Sequence, residues 1–191
     1  MASLGHGIFP DTFAIMLTSL AGWLATAQQQ MSAQSLDQEA ILTWQLASDM
    51  YPLSGQIRFA CFLAQEPYYR LHGMEPPAAL LSVREQGWSS QTHCGTLAEA
   101  CELLANTIRQ IGGQDRTCFA EGVNRQVVLE LPDGHVFDMT GAQYLRDWAL
   151  PQFYFHVNTA YAILRHKDIA LGKRDYLPHM FEYLRSAGNE R

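Results

Sequence analysis

The chain has 191 residues, a formal net charge of -6 at neutral pH and 48% hydrophobic residues. This length suits one domain, predicted here over residues 1–191, and the apolar content can build a continuous core without disulfides or metals. The acidic balance and the lack of a long basic stretch argue against a nucleic acid or an anionic membrane as a partner.

The N-terminal segment, residues 1–7, has no positively charged region of the kind that opens a signal peptide. The apolar stretch 8–23 is interrupted by Pro, Asp, Thr and Ser, so we predict that it is too polar and too short to span a bilayer. The expected location is therefore the cytoplasm. The four cysteines form no C-x-x-C pair and no metal-finger spacing, which predicts reduced, mostly buried thiols.

Helical periodicity in the first half of the chain predicts three helices. The first covers residues 10–30, a short second one covers 36–48, and a long third one covers 53–72 and ends before Gly73. Residues 73–94 are polar and lack a clear period, so we expect an irregular connection that covers one end of the fold.

In the second half, Thr96 and Glu99 form a capping-box pattern that predicts the start of another long helix. A Pro-Asp-Gly turn separates two β-rich runs, 125–131 and 135–139, and predicts a hairpin. A lone hairpin is marginally stable, so we expect it to lie against the helices.

The chain then carries helical patterns over 141–148, 152–166 and 176–185. Together, four long amphipathic helices and one hairpin favour a mainly all-α protein. The expected fold is an antiparallel four-helix bundle with the hairpin before the last long helix.

Two stretches resemble the signatures of an uncharacterised family within the DinB/YfiT-like bundle superfamily. The first is LASDMYPLSGQI at 46–57; the second is LPQFYFHVNTAYAILRH at 150–166, followed by GKRDYL at 172–177. The order of elements is also similar, so the resemblance covers nearly the whole chain. It implies a DinB-like four-helix bundle and a homodimer.

Many members of this superfamily hold a divalent metal through three histidines, one on the second bundle helix and an H-x-x-x-H pair on the last. Side chains four residues apart share a helix face, so both imidazoles of the pair can reach one ion. By the resemblance, His156 matches the second histidine of the pair, whereas Gln152 and Gln56 stand at the other two positions. Amides are poor ligands for zinc or nickel, so we expect no tight metal or other cofactor, and at most weak binding of these ions.

The candidate ligand-binding residues are therefore Asp49, Gln56, Gln152, His156 and Tyr161, placed around a polar pocket inside the bundle. The alternative is a buried hydrogen-bond network of the same groups that only fixes the helix register. For Asp49, capping of the following helix is the favoured interpretation.

Two classes of function are compatible with this pattern. One is a non-catalytic or small-molecule-binding module with a degenerate metal site. The other, implied by the resemblance, is a metal- or thiol-dependent transferase or isomerase in which His156 transfers protons. Tyr154 and Phe155 lie on the opposite side of their helix from Phe153 and Val157, which predicts a second partner surface.

Overall fold

The computed structural model describes residues 8–185, and most of this range is helical. One two-stranded antiparallel sheet interrupts the helices. In chain order the elements are α1 (Ile8–Ala33), a 3-10 helix (Gln38–Thr43), α2 (Leu53–His72), α3 (Ala78–Trp88), α4 (Leu97–Gly112), α5 (Cys118–Glu121), a 3-10 turn (Gly122–Asn124), β1 (Gln126–Glu130), β2 (Val136–Thr140), α6 (Gly141–Gln143), a π-helical segment (Tyr144–Ala149), α7 (Leu150–His166), α8 (Lys173–Tyr176) and a 3-10 helix (Pro178–Tyr183).

The four long helices α1, α2, α4 and α7 form the bundle. Both α1 and α2 pack against α4 and against α7, so each long helix has at least two others as neighbours. Apolar side chains fill the space between them, and Leu17, Leu104 and Val157 are completely buried there. The predicted mainly all-α bundle, with one hairpin before the last long helix, is confirmed.

The first helix is longer than its sequence pattern indicated. It spans 26 residues and contains an 18-residue window with a mean hydropathy of 1.4. By length and composition alone it could therefore cross a membrane, and the prediction that this stretch is too short and too polar was wrong. A helix in the core of a bundle has the same composition, and α1 buries Phe13, Leu20 and Leu24 completely.

The largest difference from the predicted elements is α3, which lies within the stretch expected to be irregular. It begins directly after Pro77 and packs against α2. Two glycines bring the helices close, because a Cβ on Gly87 would lie 2.6 Å from the Phe59 ring, and one on Gly55 would lie 2.4 Å from Ser90 Oγ. Only Leu80 among the large apolar residues of α3 is fully buried, which explains its weak hydrophobic period.

The hairpin docks on the helices as expected. Its two strands pair antiparallel, with Val128 opposite Asp138. The side chains of Val127 and Leu129 point inward and are buried. Val127 packs in a second small core with Leu71 and others beside the bundle.

From α6 to α7 the chain is helical without a break. A capping box of Thr140 and Gln143 begins this segment, and the π-helical turns follow. Pro151 lacks an N–H and disturbs the hydrogen bonds of the preceding turn, and wider π turns are one way to absorb that disturbance. The sequence predicted two separate helices here, because Pro151 was interpreted as a start.

The two short predicted helices are also different from expectation. The segment predicted as a helix over 36–48 is a six-residue 3-10 helix that Asp37 caps. Near the C-terminus, α8 and a 3-10 helix stand where one helix over 176–185 was expected. Both segments are too short for a long buried stripe, and only Ile41 and Leu42 of the first segment are buried.

Candidate functional site

A cavity of about 250 Å³ opens between α2, α3, the hairpin and the segment that leads into α7. We call it the aromatic pocket, because rings form much of its wall. Its polar lining side chains are Glu66, Arg84, Glu130, Gln152 and His156. The remaining lining residues are Tyr51, Phe59, Phe62, Leu63, Trp88, Leu129, Leu131, Pro132 and Trp148.

His156, which lines this pocket, meets Gln56 across the bundle. Their atoms Nδ1 and Oε1 are 2.8 Å apart, although the residues are 100 positions apart in the chain. The Gln56 amide nitrogen donates to the Tyr51 carbonyl at 2.9 Å, which fixes the orientation of the amide. The amide oxygen therefore faces His156, and because that oxygen only accepts, the imidazole must carry its hydrogen on Nδ1.

The second nitrogen of His156, Nε2, is consequently the one with a lone pair. Burial lowers the pKa of His156 to about 4, so the ring is neutral at pH 7. The Phe59 and Phe155 rings lie against the imidazole, with centroids 4.8 and 5.2 Å away. Within residues 8–185, Nε2 has no hydrogen-bond partner, and it is left as an acceptor for whatever enters the pocket.

The structure brings three of the five predicted site residues together and separates the other two. Gln152 lines the aromatic pocket with His156, one helical turn away, and Gln56 lies behind them. Asp49 is exposed and does not cap α2, whose first residue follows Pro52 without a side-chain cap. Tyr161 packs edge-on against Trp23, with ring centroids 5.2 Å apart, and does not line the pocket.

These two misplacements have simple geometric causes. The turn 49–52 directs the Asp49 side chain to solvent, and Pro52 rather than Asp49 occupies the capping position. Tyr161 lies five residues after His156, which turns it about 140° around the helix and away from the pocket. The favoured capping role of Asp49 and the wall role of Tyr161 were both wrong.

Sequence reasoning missed a buried carboxylate at the base of the pocket. Glu66 is 2% exposed, and its two oxygens accept from Arg70 Nε at 3.2 Å and from the Tyr144 hydroxyl at 3.0 Å. Burial raises the pKa of Glu66, against the opposing effect of Arg70. Pro67 directly follows Glu66, and this Glu-Pro pair inside a helix was the available sequence signal.

A second group at the pocket consists of Arg84 on α3 and Trp148 in the π-helical segment, and sequence reasoning missed Arg84. The Arg84 guanidinium stacks on the Phe62 and Trp88 rings, 5.2 and 4.7 Å from their centroids. Within residues 8–185, the buried Nε of Arg84 and the buried Nε1 of Trp148 have no hydrogen-bond acceptor. Arg84 went unnoticed because α3 was expected to be a loop.

The pocket does not provide the three-histidine set that the family resemblance implied. Its imidazole is a fit ligand, but the Gln56 oxygen already accepts from His156 Nδ1. Within residues 8–185, no three His, Cys, Asp or Glu side chains cluster as they would around a metal ion. These donors therefore do not match a tight zinc or nickel centre.

The cysteines lie away from this chemistry. All four are free thiols, two of them fully buried and two half-buried. Burial raises the pKa of Cys61 to about 12 and that of Cys118 to about 11, so neither forms a thiolate at neutral pH. None lines the aromatic pocket.

A larger cleft of about 470 Å³ lies beside α2 and α4. It contains none of the five predicted site residues. Its Glu99 carboxylate is committed to the capping box of α4. Arg58 donates to the Ser54 carbonyl at 3.0 Å through Nη1, and its buried Nε has no partner within residues 8–185. The aromatic pocket is the better candidate site, because it holds the neutral imidazole of His156 together with Gln152, two of the predicted site residues.

Comparison with known proteins assigns the chain to a family. The family described as "Domain of unknown function (DUF1993)" matches residues 8–177. The crystal structure of a DinB family member protein from Shewanella denitrificans is similar, with a TM-score of 0.73 and 28% sequence identity over 90% of this chain and 93% of that chain. No curated protein matches the sequence. The chain therefore belongs to the DUF1993 family, a family of unknown function whose fold is a DinB-like helical bundle.

Proposed function

We propose that this protein is a small-molecule-binding module whose ligand occupies the aromatic pocket and donates a hydrogen bond to His156 Nε2. The observation that carries the proposal is the hydrogen bond from His156 Nδ1 to Gln56, which leaves Nε2 as an oriented acceptor. Pockets with apolar walls and a few fixed polar groups are the usual form of a small-molecule site.

The proposal treats the metal site of the wider superfamily as degenerate in this chain. One imidazole and two amides are a poor set for zinc or nickel, and one of the amides is already hydrogen-bonded to that imidazole. Gln152 is half-buried in the pocket wall beside His156, where it can donate to or accept from a ligand.

A second candidate is an enzyme in which His156 is a general base. This candidate is favoured because the imidazole is neutral and Gln56 holds its Nδ1, which leaves Nε2 as the nitrogen that could accept a proton. The low pKa weighs against it, because a base works best when its pKa is near the working pH, and His156 has a pKa of about 4. Binding without proton transfer is therefore the function we favour.

Phenol and anisole test the proposal, because they share an aromatic body and only phenol can donate a hydrogen bond. Binding is followed by NMR through the indole N–H signals of Trp88 and Trp148, which line the pocket. We expect phenol to bind more tightly than anisole, and His156→Phe to weaken phenol binding about tenfold, the cost of one hydrogen bond. The matched control, His166→Phe at an exposed position, should change nothing.

Two results would overturn the proposal. One is that neither probe produces a saturable shift of the two indole signals. The other is that phenol binds equally well to the wild-type protein and to His156→Phe. We do not expect the protein to convert phenol into a product. The enzyme alternative would be supported only by a reaction that the wild-type protein catalyses and that His156→Phe does not, with the melting temperature of the variant unchanged.

A further inference from the structure

We infer that the ligand of the aromatic pocket is a small hydroxylated carboxylate with a flat apolar body: Arg84 and Trp148 hold its carboxylate, and its hydroxyl is the group that donates to His156 Nε2. This inference rests on the proposed function and names the chemical class of the ligand. It starts from two buried N–H donors, Arg84 Nε and Trp148 Nε1, that have no acceptor within residues 8–185. Buried donors of this kind cost free energy unless an acceptor meets them.

Arg84 lies beside two aromatic rings of the pocket wall. Its guanidinium carbon lies 5.2 Å from the centroid of the Phe62 ring and 4.7 Å from that of the Trp88 ring. Guanidinium groups carry their N–H donors in one plane, where these donors match the two oxygens of a carboxylate. Because Arg84 lines the pocket, it is the cation available to a carboxylate bound there.

The charges around the pocket leave Arg84 as the unmatched cation. Arg70 is paired twice, with Glu66 at 3.2 Å and with Glu75 at 3.2 Å. Arg84 makes no salt bridge within the part of the chain that the structure describes, although its charge is felt by Glu66. Glu130, the pocket's other carboxylate, is exposed, so water screens its charge.

Trp148 supplies the second donor from the π-helical segment. This segment also carries Tyr144, whose hydroxyl donates to Glu66. Each Glu66 oxygen already accepts one hydrogen bond, from Arg70 or from Tyr144, and neither Arg84 Nε nor Trp148 Nε1 is hydrogen-bonded to it. π-Helical turns occur often at functional sites, because they shift side chains out of the regular register.

4-Hydroxybenzoate and 4-hydroxybenzamide (below, benzoate and benzamide) are the probes for this inference, since both carry the hydroxyl donor for His156, they are nearly the same shape and only the benzoate is charged. Affinities are measured by NMR titration of the indole signals at pH 7. Wild-type protein should bind benzoate about tenfold or more tightly than benzamide, as expected for a charge-assisted bond. Arg84→Gln should remove this preference and leave benzamide binding unchanged. Arg109→Gln, at an exposed site on α4, is the control.

Trp148→Phe provides a second test that keeps the Arg84 cation. It removes one donor and keeps an aromatic ring, so benzoate should bind several-fold more weakly, by about the amount of one hydrogen bond. The inference is overturned if benzoate has no advantage over benzamide, or if Arg84→Gln folds and keeps that advantage. In those cases, phenol binding that still depends on His156 would show that the proposed function stands without the inference. If the wild-type protein binds neither phenol nor benzoate, the proposed function and the inference are both wrong.

Discussion

His156 Nδ1 donates to Gln56 Oε1 at 2.8 Å, across the bundle and over 100 positions of sequence. The Gln56 amide is itself anchored on the Tyr51 carbonyl at 2.9 Å. This short chain of hydrogen bonds decides which imidazole nitrogen is protonated, and it joins the start of α2 to the middle of α7. The remaining nitrogen is the acceptor on which the proposed function depends.

His156 should make the folded protein less stable in mild acid. Its pKa is about 4 in the folded state, against 6.5 for the unperturbed group. Between these values the unfolded chain takes up the proton first, so stability is lost as the pH falls from 6.5 towards 4. This loss should reach roughly 2–3 kcal/mol and should be absent from His156→Phe.

Urea unfolding at pH 7 and pH 4.5 measures this contribution. For each protein, the free energy of unfolding at pH 4.5 is subtracted from that at pH 7. Comparing this difference between wild type and His156→Phe isolates the histidine, because the other titrating groups contribute equally to both proteins. An equal pH dependence for wild type and His156→Phe would contradict the low pKa.

Introducing two histidines beside His156 should create a metal site. The double variant Gln56→His/Gln152→His puts histidines at the two positions where the family resemblance implied them. We expect it to bind Zn²⁺ and Ni²⁺ in calorimetry far more tightly than the wild type does. The control Gln29→His/Gln86→His adds two histidines at exposed positions. Equal affinities in all three proteins would contradict the degenerate-site account.

The buried carboxylate Glu66 should depend on Tyr144. Tyr144→Phe removes the hydroxyl that donates to Glu66 Oε2 at 3.0 Å and leaves that oxygen buried. The free energy of unfolding should fall by about 1.5–3 kcal/mol, the range for hydrogen bonds to charged groups. Tyr183→Phe is the control, because that ring is 77% exposed and its change should stay within about 0.5 kcal/mol. Equal unfolding free energies for the two variants would show that the bond contributes nothing.

The close contact between α2 and α3 should tolerate no added methyl group. A Cβ at Gly87 would lie 2.6 Å from the ring of Phe59, which also lines the aromatic pocket. Gly87→Ala should therefore lower stability by about 1–3 kcal/mol and weaken phenol binding as well. Gly22→Ala, with no atom within 4 Å of the new Cβ, should instead raise stability by about 0.5–1 kcal/mol. Thermal unfolding of both variants checks the opposite signs, and a stabilised Gly87→Ala would refute the packing described here.

The sequence predicted those parts of the fold whose signals are local and regular. The capping box of Thr96 and Glu99 marked the start of α4, and Gly73 marked the end of α2. It failed for α3, because one fully buried large side chain, Leu80, is too few to display a helical period. The helical continuity through Pro151 was also hidden, since π turns have no clear residue signature.

The candidate site was predictable only where the family resemblance supplied positions. His156, Gln56 and Gln152 were found in this way, and they do converge in the structure. Arg84 and Trp148 reach the pocket through long-range packing of α3 and the π-helical segment, which no spacing in the sequence indicates. Tyr161 was misplaced because a residue five positions along a helix points to a different face.

The most direct test of the account is a long-range ¹H–¹⁵N NMR spectrum of the histidine rings, recorded as a pH titration, with His156→Phe used to assign the signals. The account predicts that His156 is neutral at pH 7, carries its hydrogen on Nδ1 and begins to protonate only near pH 4. Addition of phenol should then shift the Nε2 signal. A ring protonated on Nε2, or one that titrates near 6.5 like a solvated histidine, would contradict the central claim.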